Sequence, residues 1–498
     1  MGRAWCRPQT APQVLARNRV GMLREALQHP QIHQRQMNAR PAPDQRQTNT
    51  MPSDTAFPPG FLWGAATSAY QIEGSPLADG AGVSNWHRFA HTPGRVQGGD
   101  TGDMACDHYR RMPEDVALMR SLGLQAYRFS VAWSRVMPDG RSRVNRAGLG
   151  FYERLVDTLL AAGIQPLLTL HHWDLPAALD DRGGWLNPDS AGWFADYAQV
   201  VARALADRVN SWATFNEPWV ITDGGYLNGT LAPGHRSAFE AAIAARHLMV
   251  AHGAGVQALR AAGANNIGLV VNLEPKLPAS NHPADLAACV RAEAYMNRQF
   301  LDPALLGCCP TALPEVFGQA WVDWSAAALA QAHQPIDWLG INYYTRSVNR
   351  HDDNAWPVRA TPVRQAMSTH TETGWEVHAP SLTNTLCWVR DTYGNLPLYI
   401  TENGAAFDDP PVAPPEGVDD PLRVAYFMAH LGAVADALRA GVDVRGYMAW
   451  SLLDNLEWAY GYAKRFGLVH VNLATQQRTP KASAHWYAQT IAGHGAGL

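Results

Sequence analysis

The chain of 498 residues has little lysine, no Cys-x-x-Cys pair and no long apolar run. Lysine occurs only at Lys276, Lys464 and Lys481, and none of them ends a predicted strand, which argues against a Schiff-base aldolase. The six cysteines are irregularly spaced without a Cys-x-x-Cys pair, a pattern typical of reduced thiols in a cytoplasmic protein. Because no run of about 18 uncharged apolar residues exists, no membrane-spanning segment is predicted.

Charge is unevenly distributed along the chain. The formal net charge is −4, yet residues 1–50 hold eight arginines and two acidic residues. The remainder is therefore acidic, which argues against a nucleic-acid partner. Residues 1–52 lack the apolar core of a secretory signal, so they are predicted to be a disordered extension, or a stretch upstream of a start at Met51; their arginine bias is also typical of a transit peptide. Residues 53–498 are predicted to form one folded domain.

From Phe61 onward, a short apolar run, a loop and an amphipathic helix recur eight times. The predicted strands lie near 61–66, 125–132, 165–171, 211–216, 267–273, 336–342, 398–402 and 444–450. The predicted helices lie near 113–122, 149–162, 190–208, 236–262, 283–302, 380–394, 421–440 and 480–492. Long predicted loops follow several strands, at 67–112, 217–235, 343–379 and 403–420.

The predicted strands are continuous apolar runs, which is typical of parallel strands buried on both faces. Eight alternating units predict the α/β class and a single (β/α)₈ TIM barrel with long βα loops. A doubly wound open sheet is the alternative, and the lack of a Gly-x-Gly-x-x-Gly after the first strand weakens it.

Polar and aromatic side chains follow the predicted strands, where the active site of such a barrel lies. They are Gln71, Arg128, His171, His172, Asn216, Glu217, Asn272, Asn342, Tyr344, Glu402, Trp450, Glu457 and Trp458. Adjacent His171 and His172 point to opposite faces of a strand, and no cluster has metal-ligand spacing, so no metal or other cofactor is predicted. The sequence also lacks the nucleophile elbow and the phosphate-binding loop.

Two glutamates end strands on opposite sides of the predicted barrel, Glu217 after the fourth strand and Glu402 in the seventh. Glycoside hydrolysis needs one carboxylic acid to protonate the leaving oxygen and one carboxylate to attack the anomeric carbon or activate water. Amides and histidine can bind sugar hydroxyls, and tryptophan can stack under a sugar ring. These residues therefore predict a sugar-acting hydrolase, whereas Glu402 taken alone could simply cap the following loop.

The sequence resembles glycoside hydrolase family 1, the family of β-glucosidases and β-galactosidases. The matching segments follow the order of the family at 61–74, 127–130, 172–176, 214–218 (TFNEP), 340–344, 400–404 (ITENG) and 450–458. The resemblance implies a retaining β-glycosidase that acts on small β-glycosides and oligosaccharides, including those from cellulose, through a covalent glycosyl-enzyme. It implies that Glu217 is the acid/base and Glu402 the nucleophile, with carboxyl groups ~5–5.5 Å apart.

The same resemblance implies roles for further side chains. Arg128 and Tyr344 are expected to contact Glu402. The expected substrate-binding residues are Gln71, His172, Trp173, Asn216, Asn342, Trp450, Glu457, Trp458 and Phe466. Trp219, Asn272 and Trp375 are expected on the aglycone side, although Trp219 could be packing and Asn272 could close its loop. Arg128 should lower the pKa of Glu402, whereas the acid/base Glu217 needs a raised pKa.

The choice among members of the family depends on Glu457 and Trp458. Relatives that act on 6-phospho-sugars lack this pair, and a carboxylate facing O6 would repel a phosphate, so unphosphorylated β-glucosides are the expected substrates. A 6-phospho-β-glycosidase is the alternative, and a catalytically silent sugar-binding relative is a second one from a different class. β-Galactosidase or β-fucosidase side activity, the balance with transglycosylation and a homo-oligomeric state stay open.

Overall fold

The structure, a computed structural model, describes residues 57–498, in which eight parallel strands close into a barrel. The strands, named β1 to β8 in chain order, are Leu62–Ala66, Ala126–Ser130, Gln165–His171, Trp212–Asn216, Ile267–Asn272, Trp338–Asn342, Leu398–Asn403 and Val444–Trp450. Each strand pairs in parallel with the next, and β8 pairs with β1 to close the ring. The predicted (β/α)₈ TIM barrel is therefore confirmed.

Helices follow every strand and surround the barrel. The α-helices are Ala69–Ile72, Asn85–Ala90, His108–Ser121, Trp133–Val136, Arg146–Ala161, Ala177–Asp180, Ser190–Leu205, Pro218–Val220, Ala238–Ala261, Pro283–Glu293, Gln299–Leu305, Leu313–Phe317, Ala326–Ala332, Pro380–Tyr393, Pro421–Arg439 and Ala482–Ala492. Two π-helical stretches lie at Ile221–Leu227 and Ala294–Arg298. Serine caps fix some starts: Ser84 accepts from the N–H of His87, and Ser237 accepts from that of Glu240.

Large side chains fill the space between strands and helices. Trp63, Trp133, Trp212 and Trp338 are almost fully buried. Trp338 needs a glycine beside it, because a Cβ on Gly268 of β5 would lie 2.4 Å from the Trp338 ring. Such close packing holds the strand ends in fixed positions, which the site at their carboxyl edge requires.

Short strands occur in the connections after β5, β6 and β8. Lys276–Pro278, Ser347–His351 and Ala360–Pro362 form a three-stranded sheet, and Val469–Val471 pairs with Arg478–Pro480. The long connection after β6, predicted as a loop at 343–379, is therefore partly a sheet. It joins the connection after β5, so two walls beside the barrel mouth support each other.

Several expectations concern features other than the barrel. The predicted extension at 1–52 lies outside the described residues, so the division into domains stays a prediction. Cys106, Cys309 and Cys387 carry free thiols, whereas Cys308 is disulfide-bonded, so the expectation of reduced cysteines is wrong for Cys308. Within residues 57–498, no helix is both long and apolar enough to cross a membrane.

Candidate active site

A cavity of about 640 Å³ opens at the carboxyl ends of the barrel strands. Thirteen of the predicted site residues line it: His172, Trp173, Glu217, Trp219, Asn272, Asn342, Tyr344, Trp375, Glu402, Trp450, Glu457, Trp458 and Phe466. Arg128 and Asn216 bond to residues of this lining, Arg128 to Glu402 and Asn216 to Asn342. Gln71, the remaining predicted substrate-binding residue, bonds to Asn455 and Leu456 directly before Glu457.

Glu402 is held at both carboxylate oxygens near the end of β7. The Nη1 atom of Arg128 donates to Oε1 at 2.5 Å, and the hydroxyl of Tyr344 donates to Oε2 at 2.7 Å. Both predicted contacts are therefore present. Burial raises the pKa of Glu402, and Arg128 and Tyr344 oppose that rise. The expectation that Arg128 lowers this pKa is confirmed in direction, but desolvation outweighs the guanidinium and leaves the pKa of Glu402 raised.

Glu217 follows β4 and turns its carboxyl group into the same cavity. Its φ of 48° is left-handed, a conformation that costs a non-glycine residue energy and is often found at functional sites. The Nδ2 atom of Asn342 donates to its Oε1 at 2.7 Å. Burial raises the pKa of Glu217 well above its usual value, and repulsion from Glu402 adds to the rise. The two glutamates thus differ as predicted: Glu217 holds a proton more firmly than the Arg128-paired Glu402.

An amide network joins the two glutamates. The Oδ1 atom of Asn216 accepts from Arg128 Nη2 at 2.6 Å and from Asn342 Nδ2 at 3.0 Å. Its Nδ2 atom donates to His172 Nε2 at 3.0 Å, so neutral His172 carries its proton on Nδ1. That Nδ1 has no hydrogen-bond partner within residues 57–498 and can donate to a bound hydroxyl.

Aromatic rings form one side of the cavity. His172 stacks between Trp450 and Trp458, with ring centroids 5.9 Å from each. Trp458 also packs against Trp173 and Trp86, each at 4.5 Å. Trp173 is fixed from behind, because its Nε1 donates to the carbonyl oxygen of Asn216 at 3.0 Å. Rigid rings of this kind offer flat apolar faces to the C–H face of a sugar.

Glu457 lies beside these rings and differs from its expected charge state. Burial raises its pKa to about 8, with a further contribution from Glu402. Glu457 is therefore mostly protonated at neutral pH, and the charge repulsion expected against a phosphorylated sugar is weakened. Its Oε2 atom has no protein partner within residues 57–498, so it is available to a ligand hydroxyl. Sequence alone could not reveal this, because desolvation depends on the surrounding fold.

Gln71 is buried and is not among the residues that line the cavity. Its Nε2 donates to Asn455 Oδ1 at 3.1 Å and to the carbonyl oxygen of Leu456 at 2.8 Å, while Ser68 donates to its Oε1 at 2.6 Å. These bonds position the chain directly before Glu457. The substrate contact expected for Gln71 stays a prediction.

The outer part of the cavity contains the predicted aglycone residues. Trp375 packs against Tyr344 at 5.1 Å and against Phe466 at 6.1 Å. Trp219 packs edge-on against Tyr295 at 6.1 Å. The Nε1 of Trp219 and the Oδ1 of Asn272 are buried without a hydrogen-bond partner in the described chain.

The cavity residues that the sequence did not predict include Tyr295, Asp223 and Lys276. They lie in connections after β4 and β5 rather than at strand ends. The Tyr295 hydroxyl donates to Asp223 at 2.8 Å across 72 residues of sequence. No local sequence pattern predicts such a pair, because only the folded chain brings the two residues together.

Comparisons with known proteins agree with this geometry. The sequence model described as glycosyl hydrolase family 1 matches residues 53–496. The chain is 44% identical over 442 residues to beta-glucosidase A of Thermotoga maritima, covering 88% of this chain and 98% of that protein. It is 42% identical to a bifunctional beta-D-glucosidase/beta-D-fucosidase of Bifidobacterium breve, covering 88% of this chain and 99% of that protein.

Solved structures show the same similarity. The family 1 β-glucosidase from Thermotoga maritima matches with a TM-score of 0.87 at 43% identity, covering 90% of this chain and 100% of that one. A β-glucosidase from the same organism in complex with glucoimidazole matches with a TM-score of 0.86 at 44% identity, covering 89% and 100% of the two chains.

Proposed function

Because the chain belongs to glycosyl hydrolase family 1, we propose that it is a retaining β-glucosidase in which Glu402 is the nucleophile and Glu217 the acid/base. The observation that carries this proposal is the contrast between two glutamates facing one cavity. Glu402 is paired with Arg128, whereas Glu217 is buried beside a neutral amide. A retaining glycosidase needs one ionised and one protonated carboxyl group, and this contrast supplies both.

In the first step, a carboxylate oxygen of Glu402 attacks the anomeric carbon while the bond to the leaving oxygen breaks. Glu217 gives its proton to that oxygen, so the aglycone leaves as an alcohol. Asn216 and His172 lie where they can bind sugar hydroxyls, and Trp450 can support the ring. The product of this step is a glycosyl ester of Glu402.

In the second step, water replaces the aglycone. The negative charge of Glu402 is gone in the ester, so the pKa of Glu217 falls and the deprotonated carboxylate can act as a base. Glu217 takes a proton from water as the water oxygen bonds to the anomeric carbon and Glu402 leaves. Two inversions give net retention of the anomeric configuration.

The proposed substrates are unphosphorylated β-D-glucosides, with β-fucosides as further substrates. Relatives named as β-glucosidases and one glucosidase/fucosidase support this choice. A 6-phospho-β-glycosidase is less favoured because Glu457 and Trp458 stand where relatives that bind phosphate differ. A silent sugar-binding protein is disfavoured because both carboxyl groups are present.

A panel of nitrophenyl glycosides tests the proposed function. We expect release of nitrophenol from the β-glucoside and at a lower rate from the β-fucoside, with little from 6-phospho-β-glucoside. The same panel with Glu402→Gln shows whether the release comes from this site. Activity confined to the phosphorylated substrate, or release that Glu402→Gln leaves unchanged, contradicts the proposal.

The role of Glu217 is tested by varying the leaving group. Glu217→Ala should reduce the rate on cellobiose by about 10²–10⁴-fold, because protonation of a poor leaving group depends on this residue. The first step on dinitrophenyl β-glucoside should change far less, since dinitrophenolate leaves without a proton. Single-turnover experiments measure the rate of the first step on each of the two substrates. An equal loss of rate on both would contradict the assignment of Glu217.

A homo-oligomeric state and a cytoplasmic location complete the proposal. The free thiols of Cys106, Cys309 and Cys387 favour a reducing compartment, whereas the disulfide at Cys308 argues against one. Light scattering of the purified chain measures its mass in solution and decides the oligomeric state.

A further inference from the structure

A cluster of two histidines and an aspartate lies outside the cavity, in the connection between β1 and β2. His87 belongs to the helix Asn85–Ala90, and His91 follows its end at the residue i+4 from His87. Their rings lie 4.1 Å apart at the centroids. Asp103 faces both rings, and the three potential ligand atoms lie within 4.8 Å of one another.

The distances agree with ligands around a small cation. Asp103 Oδ1 lies 3.4 Å from His87 Nδ1, and Asp103 Oδ2 lies 3.0 Å from His91 Nε2. Tetrahedral bonds of 2.0–2.1 Å place neighbouring ligand atoms roughly 3.3 Å apart. One ligand atom from each of the three side chains lies within 4.8 Å of the others, so the side chains have to close by up to about 1.5 Å to bind one ion.

The hydrogen bonds of His91 orient its ring for a cation here. Its Nδ1 donates to the carbonyl oxygen of His87 at 2.7 Å, because that oxygen can only accept. The other ring nitrogen, Nε2, faces a carboxylate oxygen of Asp103 at 3.0 Å. Nε2 is therefore the nitrogen through which His91 can bind a metal ion beside Asp103.

His87 presents a buried ring nitrogen without a hydrogen-bond partner to the same carboxylate, that of Asp103. Its side chain is 15% exposed, and Nδ1 is buried without a hydrogen-bond partner within residues 57–498. A buried ring nitrogen without a partner is costly unless a proton or a metal ion occupies its lone pair. Both histidines thus present a nitrogen to one carboxylate.

We propose that His87, His91 and Asp103 form a binding site for a divalent transition-metal ion of the Zn²⁺ class. Two imidazoles and one carboxylate suit Zn²⁺, whereas Mg²⁺ prefers oxygen ligands. Water completes the coordination, because His91 is 41% and Asp103 is 51% exposed at the side chain.

A bound ion would link two segments that pack behind one wall of the cavity. The helix Asn85–Ala90 carries Trp86, whose ring packs on Trp458 at 4.5 Å. The segment that leads to Asp103 accepts a bond from Tyr462, since the Tyr462 hydroxyl donates to the carbonyl oxygen of Thr101 at 2.8 Å. Metal binding therefore stabilises this wall without adding a ligand inside the cavity.

Calorimetric titration of the chelator-treated, untagged full-length chain with Zn²⁺ tests the proposal. The wild type should show saturable binding that Mg²⁺ does not reproduce. His91→Gln and Asp103→Asn should each weaken the affinity of this site at least about 10-fold. His235→Gln is the matched control, because His235 pairs with Glu240 at 2.9 Å but has no third ligand of this kind in the described chain.

Thermal unfolding gives a second readout. Saturating Zn²⁺ should raise the Tm of the wild type and of His235→Gln by about 2–4 °C, and this rise should be lost in His91→Gln. Unchanged glycosidase activity shows that the variants fold. Zn²⁺ binding of equal affinity and stoichiometry in wild type and His91→Gln would overturn the proposal, as would the lack of saturable binding in the wild type.

Discussion

Glu402 and Glu217 have the same side chain but different roles in the proposed reaction, because their neighbours differ. Glu402 receives an Arg128 guanidinium and a Tyr344 hydroxyl, both of which favour the carboxylate. Glu217 receives one neutral amide and the repulsion of Glu402, which favours the protonated acid. The division of labour between nucleophile and acid is therefore set by hydrogen bonds and charge rather than by residue type.

Replacing Glu402, the proposed nucleophile, tests the residue on which the proposed mechanism depends. Glu402→Gln should lower kcat for nitrophenyl β-glucoside on the order of 10⁵-fold, because no ester can form at this position. In Glu402→Gly, added azide should restore partial turnover and give the α-glycosyl azide. Glu416→Gln, on an exposed loop beyond the same strand, is the control and should retain activity. A β-configured azide product would contradict the assignment of Glu402.

Asn342 offers a test through pH dependence. Its amide donates to Glu217 and favours the ionised form of both glutamates, so removing it should raise both pKa values. The acidic and alkaline limbs of kcat/KM should each move to higher pH in Asn342→Ala, by about one unit for a charge-assisted hydrogen bond.

Asn349→Ala is the matched control for this shift. Asn349 lines the same cavity but bonds to Ser347 and to neither glutamate. Its pH profile should coincide with that of the wild type. A shift of the Asn342→Ala profile toward lower pH would show that another group sets the limbs.

At the residue scale, the sequence predicted the positions of the site residues better than their charge states. Arg128, Tyr344 and Asn342 follow from strand ends, because the carboxyl edges of parallel strands meet at one rim. The protonated state of Glu457 and the net rise in the pKa of Glu402 do not follow, because both arise from burial. Burial is a property of the assembled fold, which neighbouring residues in sequence do not define.

At the scale of elements, buried ions connect the last loops to the last helix. Lys481, one of the three lysines, is fully buried at the start of the helix Ala482–Ala492. Its Nζ donates to Asp409 in the connection after β7 at 2.6 Å and to Asp454 after β8 at 2.7 Å. These loops adjoin the segment that carries Glu457 and Trp458, so the ion pairs hold that side of the cavity.

Lys481→Met should therefore destabilise the fold by about 3 kcal/mol, since it leaves two buried carboxylates without one of their cations. Lys464→Met is the control: Lys464 pairs with half-exposed Glu372 at 3.6 Å, and its loss should cost no more than about 1 kcal/mol. Thermal unfolding of the two variants at neutral pH measures the difference. Equal losses of stability would show that the buried lysine has no special role.

The elements that sequence reasoning missed are short and paired over long distances. Lys276–Pro278 pairs with Ser347–His351, about 70 positions further along the chain, and each strand is too short to show a period. The eight barrel strands were predicted correctly because each is a longer apolar run followed by a helix of regular period. Repetition, more than any one segment, made the barrel predictable.

At the scale of the whole molecule, the beginning of the barrel is closed by an aromatic cluster. Phe57, Phe61 and Trp63 lie with ring centroids 4.8 Å apart, and both phenylalanines are 2% exposed. Trp63 also donates to His494 near the end of the chain at 3.4 Å. The stable fold should therefore require the chain from Phe57 onward, consistent with the family match that begins at residue 53.

Two truncations test this boundary. Removal of residues 1–52 should leave kcat/KM within about twofold and Tm within about 2 °C, if the predicted extension is not part of the fold. Removal of residues 1–61 also deletes Phe57 and Phe61, each worth about 3–5 kcal/mol when its ring is lost from a core, and should strongly lower Tm. A large loss in the shorter truncation would place residues before 53 in the folded domain. An equal Tm of the two truncated chains would contradict a stabilising role for the aromatic cluster.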